Sequence, residues 1–93
     1  MTTVTELVKI VTDISGVNPL DWSRKDARSY CAKKVLIKLI YDIHGYSYRS
    51  IGRQIGTSHV NVRHHLNQFE SDLVFLSGLS ELYYKVLFKV DRK

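Results

Sequence analysis

The chain of 93 residues is long enough for one hydrophobic core but too short for a catalytic domain beside a separate binding domain. Its single cysteine excludes an internal disulfide and favours a reducing compartment, and no apolar run approaches the ~20 residues that a membrane span needs. The formal net charge of +5 favours an anionic partner. We therefore expect one soluble, cytoplasmic domain over residues 1–93.

Apolar residues at helical spacing predict a first helix over Val4–Ser15, which Gly16 ends. Asn18 followed by a proline is typical of a capped helix start, so we predict a second, short helix over residues 19–22. Trp22 closes this segment. A single tryptophan in so small a domain is expected to fill the core or a hinge rather than to stack on a ligand.

The longest helix is predicted over residues 26–44. Three lysines on it, Lys33, Lys34 and Lys38, are expected to form a positive flank over about two turns. The basic loop before it, SRKDAR at residues 23–28, brings further cations to the entry of the helix. The apolar residues that should be buried along this helix are Ala32, Leu36, Leu39, Ile40 and Ile43.

Two helices with a tight turn between them follow the long helix. The first is predicted over Tyr48–Ile55, and the second starts at Thr57 or Ser58. Gly56 lies between them, where a left-handed residue most easily ends a helix. This pattern is a helix-turn-helix, which usually places its second helix in the major groove of DNA.

The second helix of the pair should continue to about Leu76, after which Ser77 and Gly78 break the chain. A last helix is then predicted to begin at residues 80–81. It carries more aromatic residues than the core can bury, so it is a candidate surface for a protein partner. Because no strand alternation persists anywhere, the sequence predicts an all-α bundle of five or six helices.

The positive charge is concentrated in the middle of the chain. Residues 23–65 contain nine basic residues against two acidic ones, a net charge of +7. A positive segment that coincides with a helix-turn-helix favours a nucleic-acid partner. The basic residues are Arg24, Lys25, Arg28, Lys33, Lys34, Lys38, Arg49, Arg53 and Arg63.

The sequence offers no constellation of catalytic or metal-ligating residues. It contains no GxxxxGK[ST] loop for nucleotide hydrolysis. His59, His64 and His65 follow one another at five and one residues, which differs from the i, i+4 spacing of helical zinc ligands. Lysines close behind Cys31 would lower its pKa, but a lone cysteine in a helix is typically a small apolar filler. We therefore expect no enzymatic activity, no metal and no cofactor.

The run from Leu7 to Phe69 resembles the C-terminal DNA-binding domain of the bacterial replication initiator DnaA, a member of the Trp-repressor-like helix-turn-helix group. The matching segments are SGVNPLDW for a turn and short helix, SRKDAR for a basic loop, SYRSIGRQIG for the first helix of the pair and SHVNVRH for the signature of the second. The resemblance implies an all-α, DnaA-like fold and binding to double-stranded DNA.

Residue by residue, the resemblance implies that Ser58, His59, Val60 and Asn61 meet bases and phosphates in the major groove. It places His64 near the DNA backbone. Phosphate contacts are implied for two lysines of the long helix, and contacts near the adjacent minor groove for the cations of the basic loop. The predicted DNA-binding residues are Arg24, Lys25, Arg28, Lys33, Lys34, Lys38, Arg49, Arg53, Thr57, Ser58, His59, Val60, Asn61, Arg63 and His64.

The chain also departs from the family pattern. Ser58 stands where the family has an aspartate, Val60 where it has a threonine and Cys31 where it has an arginine, and the signature turn is one residue shorter and lacks its arginine. We therefore expect an altered or relaxed sequence preference. No ATPase domain accompanies the motif, which removes ATP-driven origin melting from the expected activities.

These observations predict a sequence-preferring binder of double-stranded DNA, associated with the nucleoid when bound, that regulates replication or transcription. Two alternatives stay open. The first is a protein-interaction module that uses the C-terminal helix, and the second is a dimeric repressor with a small-molecule pocket. Monomeric and dimeric forms are both compatible with the sequence.

Overall fold

The computed structural model describes residues 2–91, apart from the side chains of residues 77 and 91, and this part contains helices and loops but no strand. The prediction of an all-α bundle is therefore confirmed, with five helices in the described part. The helices are α1 (Val4–Ser15), α2 (Ala27–His44), α3 (Tyr48–Ile55), α4 (His59–Phe75) and α5 (Ser77–Asp91). None of them is long and apolar enough to cross a membrane.

Local capping sets most of the helix ends where the sequence predicts them. Thr3 and Glu6 form a reciprocal capping box at the start of α1, and Asp26 and Ser47 cap α2 and α3. A left-handed glycine ends each of these three helices, as Gly56 does for α3 at φ 81°. The predicted bounds of α1 and α3 are confirmed to the residue.

The core is built around α2, which packs against α1, α4 and α5. Leu36 and Ile40 of α2 are fully buried, as are Leu7 and Val11 of α1. Val86 contributes from α5. Because α3 contacts α2 as well, four helices cover it. Its side chains are therefore buried around most of its circumference, and more of them are enclosed than a single apolar stripe predicts.

Two local predictions are wrong. Residues 19–22 form turns rather than a short helix, because the Asn18 side chain accepts a hydrogen bond from the amide of Leu20 at 3.0 Å and so stabilises a turn. The last helix begins at Ser77, three residues before the predicted start, and Leu76 alone separates it from α4. Leu79 is fully buried, so its burial draws the first turn of α5 against the core.

The turn between α3 and α4 depends on a glycine inside α3. A Cβ atom on Gly52 would lie 2.6 Å from the carbonyl oxygen of Thr57, closer than such atoms approach. The Gly52 carbonyl also accepts hydrogen bonds from the amides of Gly56 and Thr57 at 2.8 and 2.9 Å. The chain therefore reverses tightly at this point, and the first turn of α4 lies directly against α3.

Candidate nucleic-acid interface

The first turn of α4 is held by side-chain hydrogen bonds. Ser58 is its N-cap, and its hydroxyl accepts from the amide of Asn61 at 3.1 Å. The carboxamide of Asn61 donates to the hydroxyl of Thr57 at 3.0 Å. These bonds fix the orientation of Asn61 and leave its carbonyl oxygen, together with the positive end of the helix dipole, for a ligand.

The outward face of this part of α4 combines several kinds of side chain. Val60 is 64% exposed, Arg63 and His64 are exposed, and His59 is partly exposed. Val62 points inward and is fully buried. The predicted division of α4 into a buried stripe and an outward polar face is confirmed for these residues, and the outward face offers a cation, hydrogen-bonding groups and an exposed methyl surface together.

The neighbouring helix α3 adds two cations. Arg49 and Arg53 are exposed and lie one turn apart, on the side of α3 opposite to the buried Ile51 and Ile55. Neither arginine forms an ion pair with the described side chains. Both guanidinium groups are therefore available to an anionic partner.

Trp22 connects the basic loop to the helix-turn-helix. Its indole N–H donates to the carbonyl oxygen of Ile55, the last residue of α3, at 2.8 Å. The ammonium group of Lys33 lies 5.2 Å from the centroid of the Trp22 ring and donates to the carbonyl oxygen of Arg24 at 2.9 Å. Trp22 is thus a packing residue, as expected, and it ties the segment just before the basic loop to the end of α3.

The expected positive flank of α2 is wrong for Lys33 and Lys34, which are both buried. Their helical spacing does place them on a flank of α2, but Trp22 and the loop cover Lys33, and α4 packs across Lys34. The side chain of Lys34 is 0% exposed, and its ammonium group lies 2.6 Å from a carboxylate oxygen of Asp72 on α4. Neither lysine can reach a phosphate in this conformation.

Lys38 and Arg24 are also partly neutralised. Lys38 lies 3.3 Å from Asp42, one turn along α2, and its ammonium group is 5.3 Å from the centroid of the Phe69 ring. Arg24 lies 3.0 Å from Asp26, in an exposed pair that contributes little to stability. The exposed cations of the predicted site that have no carboxylate partner among the described side chains are Lys25, Arg28, Arg49, Arg53 and Arg63.

A partly buried polar cluster between α2 and α4 was not anticipated from the sequence. The phenol of Tyr30 donates to Asp72 at 3.2 Å, and Lys34 donates to the carbonyl oxygen of His65 at 3.4 Å. The hydrogen bond from Lys34 holds the pKa of Asp72 below its ordinary value. Asp72 lies 38 positions after Lys34, and no local pattern in the sequence links two residues at that separation.

His65 is the least exposed histidine of α4, and burial lowers its pKa to about 4, with further lowering from the positive charges of Lys34 and His64. Its Nδ1 atom is buried and has no hydrogen-bond partner in the described part of the chain. His65 is therefore neutral near pH 7. The centroid of its ring lies 5.2 Å from that of Tyr30, so His65 is a packing residue on the face of α4 that lies against α2.

Cys31 does not have the surroundings of a reactive thiol. It is buried, and desolvation raises its pKa despite the nearby charge of Lys34. The suggestion that lysines lower its pKa is therefore wrong, and the thiol is neutral at physiological pH. In the described part of the chain, no three histidine, cysteine, aspartate or glutamate side chains lie close enough to share a metal ion.

Comparison with known proteins gives no relative from which a role can be taken. No protein-family model, no curated protein and no solved structure matches this chain.

Proposed function

We propose that the chain binds double-stranded DNA, with α4 in the major groove and the basic loop against the adjacent backbone, as in the DnaA-type domain that its sequence resembles. The observation that carries this proposal is the contact between Trp22 and Ile55, which joins the basic loop to the helix-turn-helix. Exposed cations then come both from α3 and α4 themselves and from the loop that this contact ties to the end of α3. Within this function, the chain regulates replication or transcription.

The proposed base contacts come from the first turn of α4. Asn61 can accept from a base through its carbonyl oxygen, and His59 can donate or accept through its imidazole. Val60, with most of its surface exposed, suits an apolar contact with the methyl group of thymine. Ser58 replaces the acidic residue of the DnaA signature, which removes a carboxylate from the groove and relaxes the preference at that position.

The proposed phosphate contacts come from Arg49 and Arg53 of α3, Arg63 of α4, Lys25 of the basic loop and Arg28 of the first turn of α2. The amides at the start of α4 can receive a further phosphate. Each cation that neutralises a phosphate adds about −0.9 to the slope of log K against log salt, so five such contacts give a slope of about −4.5. Lys33 and Lys34 act indirectly, by holding the loop and α4 in place.

The test is a salt titration of binding to duplex DNA, combined with selection of bound sequences from a random duplex library. We expect a slope between about −3 and −5 and a selected sequence motif. Asn61→Ala should change the selected motif. Arg53→Gln should instead lower the affinity for all DNA sequences alike and reduce the magnitude of the salt slope by about one. Lys9→Gln, on the exposed face of α1, is the matched control and should change neither quantity.

Two results would reject the proposal. The first is the absence of duplex binding at low salt. The second is binding whose affinity does not change with salt, because no phosphate contact would then be made. Equal, sequence-independent losses from Asn61→Ala and Arg53→Gln would leave DNA binding in place but refute the division into base and phosphate contacts.

A second candidate function, a protein-interaction module, is favoured by one observation at the other end of α4. Val74 and Phe75 are 76% and 80% exposed, and Tyr84 of α5 is 57% exposed. If duplex DNA is not bound, these side chains are the first to examine. Phe75→Ser should then reduce self-association in a concentration series of mass measurements, and Lys89→Gln, an exposed change on α5, should not.

A further inference from the structure

A cleft of about 780 Å³ lies away from the helix-turn-helix, between the end of α1, the first turns of α2 and the start of α5. Its volume is within the range of small-molecule sites, about 300–1,000 Å³. The side chains that line it come from α1, α2, α5, Leu76 and the basic loop. The cleft is therefore separate from the proposed base contacts, although it shares two cations with the proposed phosphate contacts.

The inner wall of the cleft is apolar. Ile14 of α1, Cys31 of α2, and Leu76 and Leu82 beside α5 contribute to it. Cys31 is buried and carries a neutral thiol, so it behaves here as a small apolar side chain. The hydroxyl groups of Ser15 and Tyr30, which also line the cleft, already donate to partners inside the protein, so an apolar body suits this wall best.

The rim of the cleft is positively charged. Lys25, Arg28 and Lys85 line it together with one acid, Glu81, whose carboxylate is held by Lys85 at 2.8 Å. Lys25 and Arg28 have no carboxylate partner among the side chains that the structure describes. A guanidinium Nη atom of Arg28 lies 3.9 Å from the position that a Cβ atom on Gly16 would take, so this cation lies over the end of α1. The rim thus has a net charge of +2, and a carboxylate complements it.

We propose that this cleft binds a small monocarboxylate with an apolar body, its carboxylate held by Arg28 and Lys25 and its body against Cys31 and Leu82. An apolar wall that ends at two unpaired cations has the complementary arrangement of such a molecule. One consequence rests on the proposed function: since both cations are also among the proposed phosphate contacts, a bound carboxylate neutralises them and weakens binding to DNA.

Direct binding to the full chain, without DNA, tests the site itself. Octanoate and phenylacetate are the probes, and octanol is the matched molecule that lacks the charge. We expect saturable binding of at least one carboxylate by calorimetry, and binding of octanol weaker by about tenfold or more. Equal affinities for octanol and octanoate, or no saturable binding of either carboxylate, would overturn the proposal.

Substitutions on the rim locate the binding. Arg28→Gln should lower the affinity for the carboxylate by about tenfold or more, because it removes the group that can bind the anion bidentately. Lys85→Gln should also weaken it, since Glu81 then faces the cleft without its partner. Lys9→Gln is the control and should have no effect. Thermal unfolding of each variant confirms that it folds, and an Arg28→Gln variant that is folded yet binds octanoate like the unchanged chain would refute the assignment.

The two proposals can fail separately. If octanoate binds the chain but duplex DNA does not, the proposal for the cleft is supported and the DNA-binding function is rejected. If DNA binds but neither carboxylate does, the cleft proposal is rejected alone. When both bind, octanoate should lower the affinity for DNA, and this effect should be lost in Arg28→Gln. DNA affinity that does not respond to saturating octanoate would refute the shared use of the two cations.

Discussion

Residues 59–64 of α4 follow a side-chain cap and carry exposed groups such as Val60 and Arg63, whereas residues 65–73 of the same helix are fastened to α2 through Phe69 and Asp72. The first half packs against α3 and still presents exposed side chains, whereas the second half is tied to α2 by an ion pair and a cation–π contact. The comparison teaches that a helix able to present side chains to a ligand needs a separate part that fixes its orientation.

The ion pair between Lys34 and Asp72 has a cost in free energy, so its place in the fold needs an explanation. Removing Lys34 and Asp72 from water carries a desolvation penalty that an apolar pair of similar volume would avoid. What the ion pair supplies is a defined geometry, because Lys34 reaches both Asp72 and the carbonyl oxygen of His65, which lie two turns apart on the same face of α4. This arrangement fixes the rotation of α4 on α2.

The largest expected effect comes from breaking this ion pair. Asp72→Asn leaves the fully buried ammonium group of Lys34 without its counter-ion, so the free energy of unfolding should fall by about 3 kcal/mol in urea titrations. Val60→Ala in the other half should change it by less than about 0.5 kcal/mol. The double change Lys34→Met with Asp72→Leu should recover most of the loss. A stability like that of the unchanged chain in Asp72→Asn would show that the pair does not fasten α4.

The next effect is a loss of stability in mild acid, caused by His65 at the boundary between the two halves. The pKa of His65 is about 4 in the folded chain and 6.5 in a solvated one, so the unfolded chain binds a proton first as the pH falls. Stability is unaffected above pH 6.5 and decreases between about pH 6.5 and 4, by up to about 3 kcal/mol. Urea midpoints measured at pH 7 and pH 4.5 give the difference.

His65→Leu supplies the control, because it removes the titrating group while keeping an apolar contact with Tyr30. Its stability should depend much less on pH over the same interval. Asp72, whose pKa is lowered, contributes a separate loss only at more acidic pH, as its carboxylate becomes protonated. A pH dependence that persists unchanged in His65→Leu would assign the effect to another group.

A loss of stability smaller than those from Asp72→Asn and from His65 in acid is expected for the helix cap in the first half of α4. Ser58→Ala removes the acceptor of the Asn61 amide, and loss of such a cap costs about 1 kcal/mol. Ser58→Asp keeps the cap, so its stability should be close to that of the unchanged chain. If Ser58→Ala were as harmful as Asp72→Asn, the contrast between the halves of α4 would be wrong.

Local chemistry explains which parts of the fold could be predicted. The bounds of α1 and α3 follow from a capping residue at one end and a left-handed glycine at the other, and both signals lie within the helix and its flanks. The prediction of a short helix over residues 19–22 was wrong because Asn18 can cap a turn as well as a helix. The start of α5 was missed because burial of Leu79, a tertiary effect, outweighs the local preference of Gly78 for a break.

The same distinction applies to the candidate interface. Exposure of Arg49, Arg53 and Arg63 follows from helical periodicity, which the sequence contains. Burial of Lys33 depends on Trp22, in the preceding loop, and burial of Lys34 depends on Asp72, in a distant part of the chain. A lysine that pairs inside the fold and a lysine that faces solvent have the same sequence pattern, so only the packing of α4 and the loop separates them.

The contact between Trp22 and Ile55 has a practical consequence for experiments in solution. Trp22 is the only tryptophan of the chain, so selective excitation of indole fluorescence observes a single place, the junction between the basic loop and the turn before α4. The cation of Lys33 lies over the same ring, which makes the emission sensitive to small movements of the loop. The protein thus carries a built-in optical probe for any partner that displaces this loop, without the need to attach a dye.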